Sequence, residues 1–189
     1  QTLHGGGKFD ETNYKSAGGL HGVGAAVTNA LSEWMEVHSF KEGVDHFMRF
    51  EKGGSKASKL QDLGPTTKHG TSVRFYPDKT IFDDITWNFD RIAGHLDDQA
   101  CLTKGVTFHL LDERTNRKQD FYYENGLLEY YTRHTAGKTS LANPIHIEAT
   151  SSEGIKVDTV FGFVKDEYSE KIIGFANGVR TGDGGYHVT

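Results

Sequence analysis

The sequence predicts an α+β fold, and three observations carry that prediction. A glycine-rich opening gives way abruptly to apolar residues at helical spacing from Val23. Aromatic and β-branched runs then come in pairs separated by tight-turn residues, the signature of hairpins. Beyond about residue 145 the chain reads as strands alone. Helical and hairpin patterns thus occur side by side in one chain, the mixture of an α+β fold.

Taken in order, residues 1–24 carry glycine at 5, 6, 7, 18, 19, 22 and 24 and almost no aliphatic side chains. A loop that long without its own secondary structure is functional or disordered. Val23, Val27, Ala30 and Leu31 give an amphipathic helix over Val23–Ser32. Trp34–Lys41 and Val44–Glu51 form a hairpin across Glu42-Gly43. Gly53–Lys68 is a polar, basic connector with a short edge strand near Leu60–Leu63, and Thr71–Tyr76 is a strand stopped by Pro77-Asp78. Asn88 caps a helix running to about Lys104, with Phe89, Ile92, Leu96 and Ala100 as its buried stripe and Gly105 after its end. Val106–Leu111 and Gln119–Tyr123 make a second hairpin across Asn116, and Gly126–Arg133 a short helix. Small polar residues at 135–143 mark a domain break. Strands follow at Ile145–Thr150, Ile155–Phe163 and Lys171–Val179.

Composition narrows the function classes. The net charge of −5 argues against a dedicated nucleic-acid module, which shows a basic balance. One cysteine, Cys101, excludes an internal disulfide framework and suits a reducing, cytoplasmic setting. No apolar run of about 18 residues exists to span a membrane. The 23 glycines make up about 12% of the 189 residues, against a usual ~7%, and with only 3 prolines they are not a low-complexity linker.

The densest motif is Tyr14-Lys15-Ser16-Ala17-Gly18-Gly19-Leu20-His21-Gly22-Val23-Gly24, running directly into the first helix. Glycines let a backbone approach a ligand closely, and a helix start offers unpaired N–H groups. Together these form a phosphate cradle, to which Lys15 and Lys8 add charge and Tyr14 a ring for a planar base. The same glycines also suit a plain structural turn, and the residues alone leave both readings open. A Walker A loop is excluded because Thr132 stands where Gly137-Lys138-Thr139 needs its first glycine. The dinucleotide fingerprint is excluded because the order is reversed, Gly19-x-x-Gly22-x-Gly24, with no strand before it.

The whole string is more specific than its glycines. Leu3-His4-Gly5-Gly6-Gly7-Lys8-Phe9, Tyr14-Lys15 and Gly18–Gly24 closely resemble the ATP lid of the ATPase subunits of bacterial type IIA topoisomerases, in the GHKL superfamily. Asn29-Ala30-Leu31-Ser32, Gly70–Phe75 with Pro77-Asp78, Tyr122–Gly126, Tyr168-Ser169 and Asp183–His187 continue the resemblance in family order. It implies the C-terminal part of a GHKL (Bergerat) ATPase domain over residues 1–135, and from 140 to 189 the start of a transducer domain with a βαβ-type fold. It further implies ATP with Mg²⁺ as cofactors and self-dimerisation of the ATPase domain. A DNA-cleaving A-type subunit and DNA itself are the implied partners of the full enzyme, which couples gate closure to strand passage.

Position by position, the resemblance puts Tyr14 at the adenine side, Lys15 and Lys8 near phosphates or ribose, and Thr71 in the adenine pocket. Gly18, Gly19, Leu20, His21, Gly22, Val23 and Gly24 wrap the triphosphate. The family's general-base glutamate, Mg²⁺-binding asparagine and adenine-reading aspartate lie upstream of the lid. The chain therefore reads as an internal fragment with no catalytic or metal-binding residue of its own, inactive and poorly soluble alone. Ser16-Ala17, Gly5, Tyr186 and Val188 depart from the family's usual residues. Arg180–Gly185 resembles the B subunit of topoisomerase IV more than that of gyrase. A non-catalytic nucleotide-binding interaction module is the alternative from another class.

The remaining polar residues have plainer readings. The other histidines show no metal-ligand spacing, so zinc is not expected. Cys101 reads as a packing thiol, and Glu33, Glu36, Asp97 and Asp98 as solvated. Phe121, Tyr122, Tyr123, Tyr130 and Tyr131 read as core or interdomain packing rather than a stacking platform for single strands. Lys8 is equally a solubilising charge, and Thr71 has the plainer reading of an ordinary strand residue, over which the resemblance favours the adenine pocket.

Overall fold

The structure, a computed structural model, describes residues 23–165 and 167–182. It divides into two compact units, Gln1–Trp87 and Asn88–Thr189.

The first unit is built on a short helix and one antiparallel sheet. Helix α1 (Gly24–Ala30) leads into β1 (Ser32–Lys41), which turns at Glu42-Gly43 into β2 (Val44–Glu51). Both turn residues have positive φ, 56° and 77°, the geometry whose twist matches a two-residue hairpin. The connector supplies two short strands, β3 (Lys56–Ala57) and β4 (Gln61–Pro65), and both pair with β2. Strand β5 (Gly70–Pro77) pairs with β1 on its other side, so the main path runs β3-β2-β1-β5.

Register decides which residues share a face. Met35 lies opposite Phe50 and Phe75, and Val37 opposite Met48 and Val73, giving an apolar face. Thr71, opposite Ser39, falls on that face by alternation. The reverse face carries Trp34 stacked on Tyr76 at 6.1 Å, with the Arg49 guanidinium 5.0 Å from the Trp34 ring centre. Arg49 is also paired with Glu36 and Glu51. Glu36 is therefore a partnered residue of β1 rather than a merely solvated one, because the register sets Arg49 directly across from it.

The second unit packs helices on a hairpin. Helix α2 (Phe89–Leu102) starts as the sequence predicts, with the Asn88 side chain accepting from the Arg91 N–H at 2.9 Å. Its buried residues are Phe89, Ala93, Ala100 and Cys101, so the stripe is rotated from the predicted one and Ile92 is only half-buried. Strands β6 (Phe108–Asp112) and β7 (Arg117–Phe121) form the expected hairpin, with Asn116 at φ 55°. Phe89, Ala93, Ala100 and Phe121 make the core, flanked by Leu96, Phe108, Leu110 and Tyr123. Helix α3 (Leu127–His134) packs on α2 and on β9 (Lys156–Phe161), which pairs with β8 (Ile145–Thr150).

One predicted element is corrected. Lys171–Val179 is not a single strand. Asn177 and Gly178 take positive φ, 48° and 76°, and fold the segment into a small hairpin of β10 (Phe175–Ala176) and β11 (Val179–Arg180). The Asn-Gly turn signal outweighs the β-branched residues around it. The turn is held by Gln99, whose side chain donates to the Gly178 carbonyl at 2.8 Å.

Candidate functional site

Of the residues expected to hold a nucleotide, Val23, Gly24 and Thr71 are described. Lys8, Tyr14, Lys15, Gly18, Gly19, Leu20, His21 and Gly22 lie outside the described residues.

Val23 caps α1 with φ −108° and ψ −9°, and its carbonyl accepts the first helical hydrogen bond, from the Val27 N–H at 2.8 Å. The Val23 side chain makes no capping hydrogen bond, and no acidic residue occupies the first turn. The first-turn N–H groups thus have no side-chain acceptor from Val23. Gly24 is exposed, and a Cβ built on it meets nothing within 4 Å. Among the described residues nothing therefore demands glycine there. Thr71 sits on β5 and is exposed. Strand β1 links the two places, since it packs against α1 and pairs with β5.

Behind that helix start the packing is close. The Gly53 N–H donates to the Ser32 carbonyl at 3.0 Å, and the Lys52 N–H to the Glu33 carbonyl at 2.8 Å. The Asp78 N–H donates to the Leu31 carbonyl at 3.0 Å. These bonds pin the end of α1 to the loop after β2 and to the end of β5. Asn29, on α1, is only 2% exposed, and both polar atoms of its side chain lack a partner among the described residues. Sequence reasoning gave Asn29 no role, because nothing local marks which face of a short helix is buried.

Two further polar clusters lie in the second unit. Asp97 accepts from the Tyr123 hydroxyl at 2.5 Å and pairs with Arg133, whose other arm donates to the Cys101 sulfur at 3.2 Å. Asp97 is thus a paired group, not a solvated one, because α3 brings Arg133 against it. Burial first, and then the bond to Asp97, push the Tyr123 phenol up to about 12. Burial likewise raises the Cys101 thiol, against a smaller lowering by Arg133, so this buried cysteine is poorly suited to nucleophilic work. The other cluster is exposed: His146, Glu148 and Asp158 on β8 and β9. His146 meets Asp158 at 2.7 Å and Lys104 meets Glu148 at 3.0 Å, so the chain's own groups already partner both carboxylates.

Comparison with known proteins gives these features a context. The family profile described as DNA gyrase B matches residues 126–189. The DNA topoisomerase 4 B subunit of Bacillus subtilis is 44% identical over 185 residues, covering 98% of this chain and 28% of the relative. That of Enterococcus faecalis is 44% identical over 188 residues, covering 98% and 27%. Among solved structures, the 43K ATPase domain of Thermus thermophilus gyrase B, in complex with an aminocoumarin, superposes with a TM-score of 0.77 at 32% identity. That match covers 88% of this chain and 45% of the other.

This chain belongs to the B-subunit family of bacterial type IIA topoisomerases.

It spans little more than a quarter of the length of these topoisomerase relatives. Its α+β architecture is that of the gyrase B ATPase region, which accounts for the helix that follows the glycine run and for the sheet behind it. No described helix is long and apolar enough to cross a membrane.

Proposed function

We propose that this chain supplies the phosphate-binding segment and the rear of the nucleotide pocket in the ATPase subunit of a type IIA topoisomerase. The observation that carries the reading is at Gly24. This glycine opens a helix whose N-cap, Val23, makes no side-chain cap bond and whose first turn holds no acidic residue, and no described atom lies within 4 Å of where its Cβ would stand. No described residue calls for a glycine there, which fits a ligand that approaches this helix start closely. A polyphosphate accepting the first-turn amides fits that description. Val23 and Gly24, with Gly18, Gly19, Leu20, His21 and Gly22 ahead of them, take the triphosphate through main-chain N–H groups. Lys15 and Lys8 sit by phosphates or ribose, Tyr14 by the adenine, and Thr71 reaches the adenine pocket from β5.

Residues 1–135 are proposed to end the GHKL ATPase domain and residues 140–189 to open the transducer domain. The profile match over residues 126–189 supports a family segment of its own there. Mg²⁺ accompanies the nucleotide and neutralises its phosphates when bound, and no residue of this chain is assigned to it. In the whole subunit, nucleotide-driven dimer closure is coupled to passage of one DNA duplex through another, with an A-type partner cutting the DNA. The curated relatives, at 44% identity against 32% for the gyrase structure, favour the B subunit of topoisomerase IV. The DNA gyrase B profile keeps gyrase as the second reading.

The test is the affinity of a full-length B-type subunit carrying this sequence for a non-hydrolysable ATP analogue. Gly24→Val is expected to abolish binding, since a β-branched side chain fills the approach that Gly24 leaves open. Unchanged affinity would contradict the reading.

A further inference from the structure

Buried polar side chains are nearly always hydrogen-bonded, and an exception calls for a reason. Asn29 is such an exception: it is 2% exposed, and neither its Oδ1 nor its Nδ2 has a partner among the described residues. Its neighbours on the same turn are satisfied. The Thr28 hydroxyl donates to the Gly24 carbonyl at 3.0 Å, and the Ser32 hydroxyl to the Thr28 carbonyl at 2.6 Å. On this stretch the deficit is therefore confined to one amide.

Its position gives the deficit a use. Asn29 lies on the seven-residue helix that begins at Gly24, and the far end of that helix is fixed by the Gly53–Ser32 and Asp78–Leu31 bonds. Asn29 and the Val23–Gly24 amides therefore share one short helix, and fixing the first helps to fix the second. A carboxamide that lacks both a donor and an acceptor partner is complementary to a group that offers one of each, and a main-chain peptide does so. Leaving such a group unpaired costs free energy in the empty protein. If the partner arrives with the ligand, that cost is recovered only in the ligand-bound form and adds to affinity.

We infer that Asn29 is a positioning residue for the nucleotide: in the nucleotide-bound subunit its amide pairs with a peptide group and fixes α1, and with it the Val23–Gly24 amides, against the phosphates. The inference rests on the nucleotide reading proposed above and adds to it a residue that touches no ligand atom.

Asn29→Leu, nearly isosteric and apolar, separates this role from a merely structural one. In a full-length subunit carrying this sequence, the nucleotide-free Tm is expected to hold or rise by a few degrees. Affinity for a non-hydrolysable ATP analogue is expected to fall by about tenfold. Opposite movements of stability and affinity are the signature. A lower Tm with a matching loss of affinity makes Asn29 an ordinary structural amide, and an affinity within about twofold of the parent removes any role in binding. Either result overturns the inference. Asn29→Ala, which needs no extra room, gives the same loss of affinity and decides the matter if the leucine does not fold. Failure of the unsubstituted subunit to bind the analogue would instead overturn the nucleotide reading, and this inference with it.

Discussion

Gly53 passes so close to α1 that a Cβ on it would stand 2.8 Å from the main-chain oxygen of Ala30. Its φ of 63° lies in the left-handed region, which side chains other than glycine's enter only at a cost. Sterics and backbone geometry therefore demand glycine at the same point, and the atom that is crowded belongs to the helix that carries the proposed cradle. Gly53→Ala is expected to cost about 2 kcal/mol or more, read by urea denaturation. Because relief requires α1 to move, nucleotide affinity in a full-length subunit should fall with it.

A similar contact in the second unit involves a hydroxyl. The Tyr131 side chain fills the place of a Cβ at Gly162, and its hydroxyl is buried with no partner among the described residues. Tyr131→Phe removes that unpaired group and is expected to stabilise by about 1 kcal/mol. Gly162→Ala is expected to destabilise, and a chain already carrying Tyr131→Phe should tolerate it better than the parent does. A double-mutant cycle measures the coupling, and simple additivity would refute the contact.

The Tyr123–Asp97–Arg133 cluster predicts an alkaline transition. Tyr123 has a folded value of about 12, above its ordinary 10.0, so the fold favours the neutral phenol. That contribution is complete below about pH 10 and is lost as pH rises through about 12. Ultraviolet absorbance of the phenolate is expected to show one tyrosine titrating late, and Tyr123→Phe should remove that component. Asp97→Ala strands the half-buried Arg133 and is expected to cost about 2–3 kcal/mol.

Hydrolysis is a separate matter from binding. No residue of this chain is assigned as the base that would activate water, so the 189 residues alone are expected to turn over ATP only at background. A malachite-green phosphate assay on the purified chain checks this. Turnover above background would place the base within these residues.

How much of this was legible depends on range. The Asn88 cap, the Glu42-Gly43 turn and the first two hairpins were readable because the chemistry that fixes them lies within a few residues. The break at Asn177-Gly178 was just as local, but the apolar residues on either side drew the prediction to a strand. Pairings that span the sequence were not readable. Nothing near Gln61 says that it pairs with Phe47, or near Val73 that it pairs with Val37. The same holds for side chains. Asp97 reads as solvated until α3 brings Arg133 to it, and the burial of Asn29 emerges only once α1 is packed. At the site, Val23 and Gly24 were marked by the glycine run itself, whereas Thr71 was singled out by family resemblance alone.

Whether the glycine run grips the triphosphate is read by hydrogen–deuterium exchange on a full-length subunit carrying this sequence, with and without a non-hydrolysable ATP analogue and Mg²⁺. Strong slowing is expected at the amides of residues 18–24 when the analogue is bound. Unchanged exchange there, with slowing confined to other segments, would contradict it.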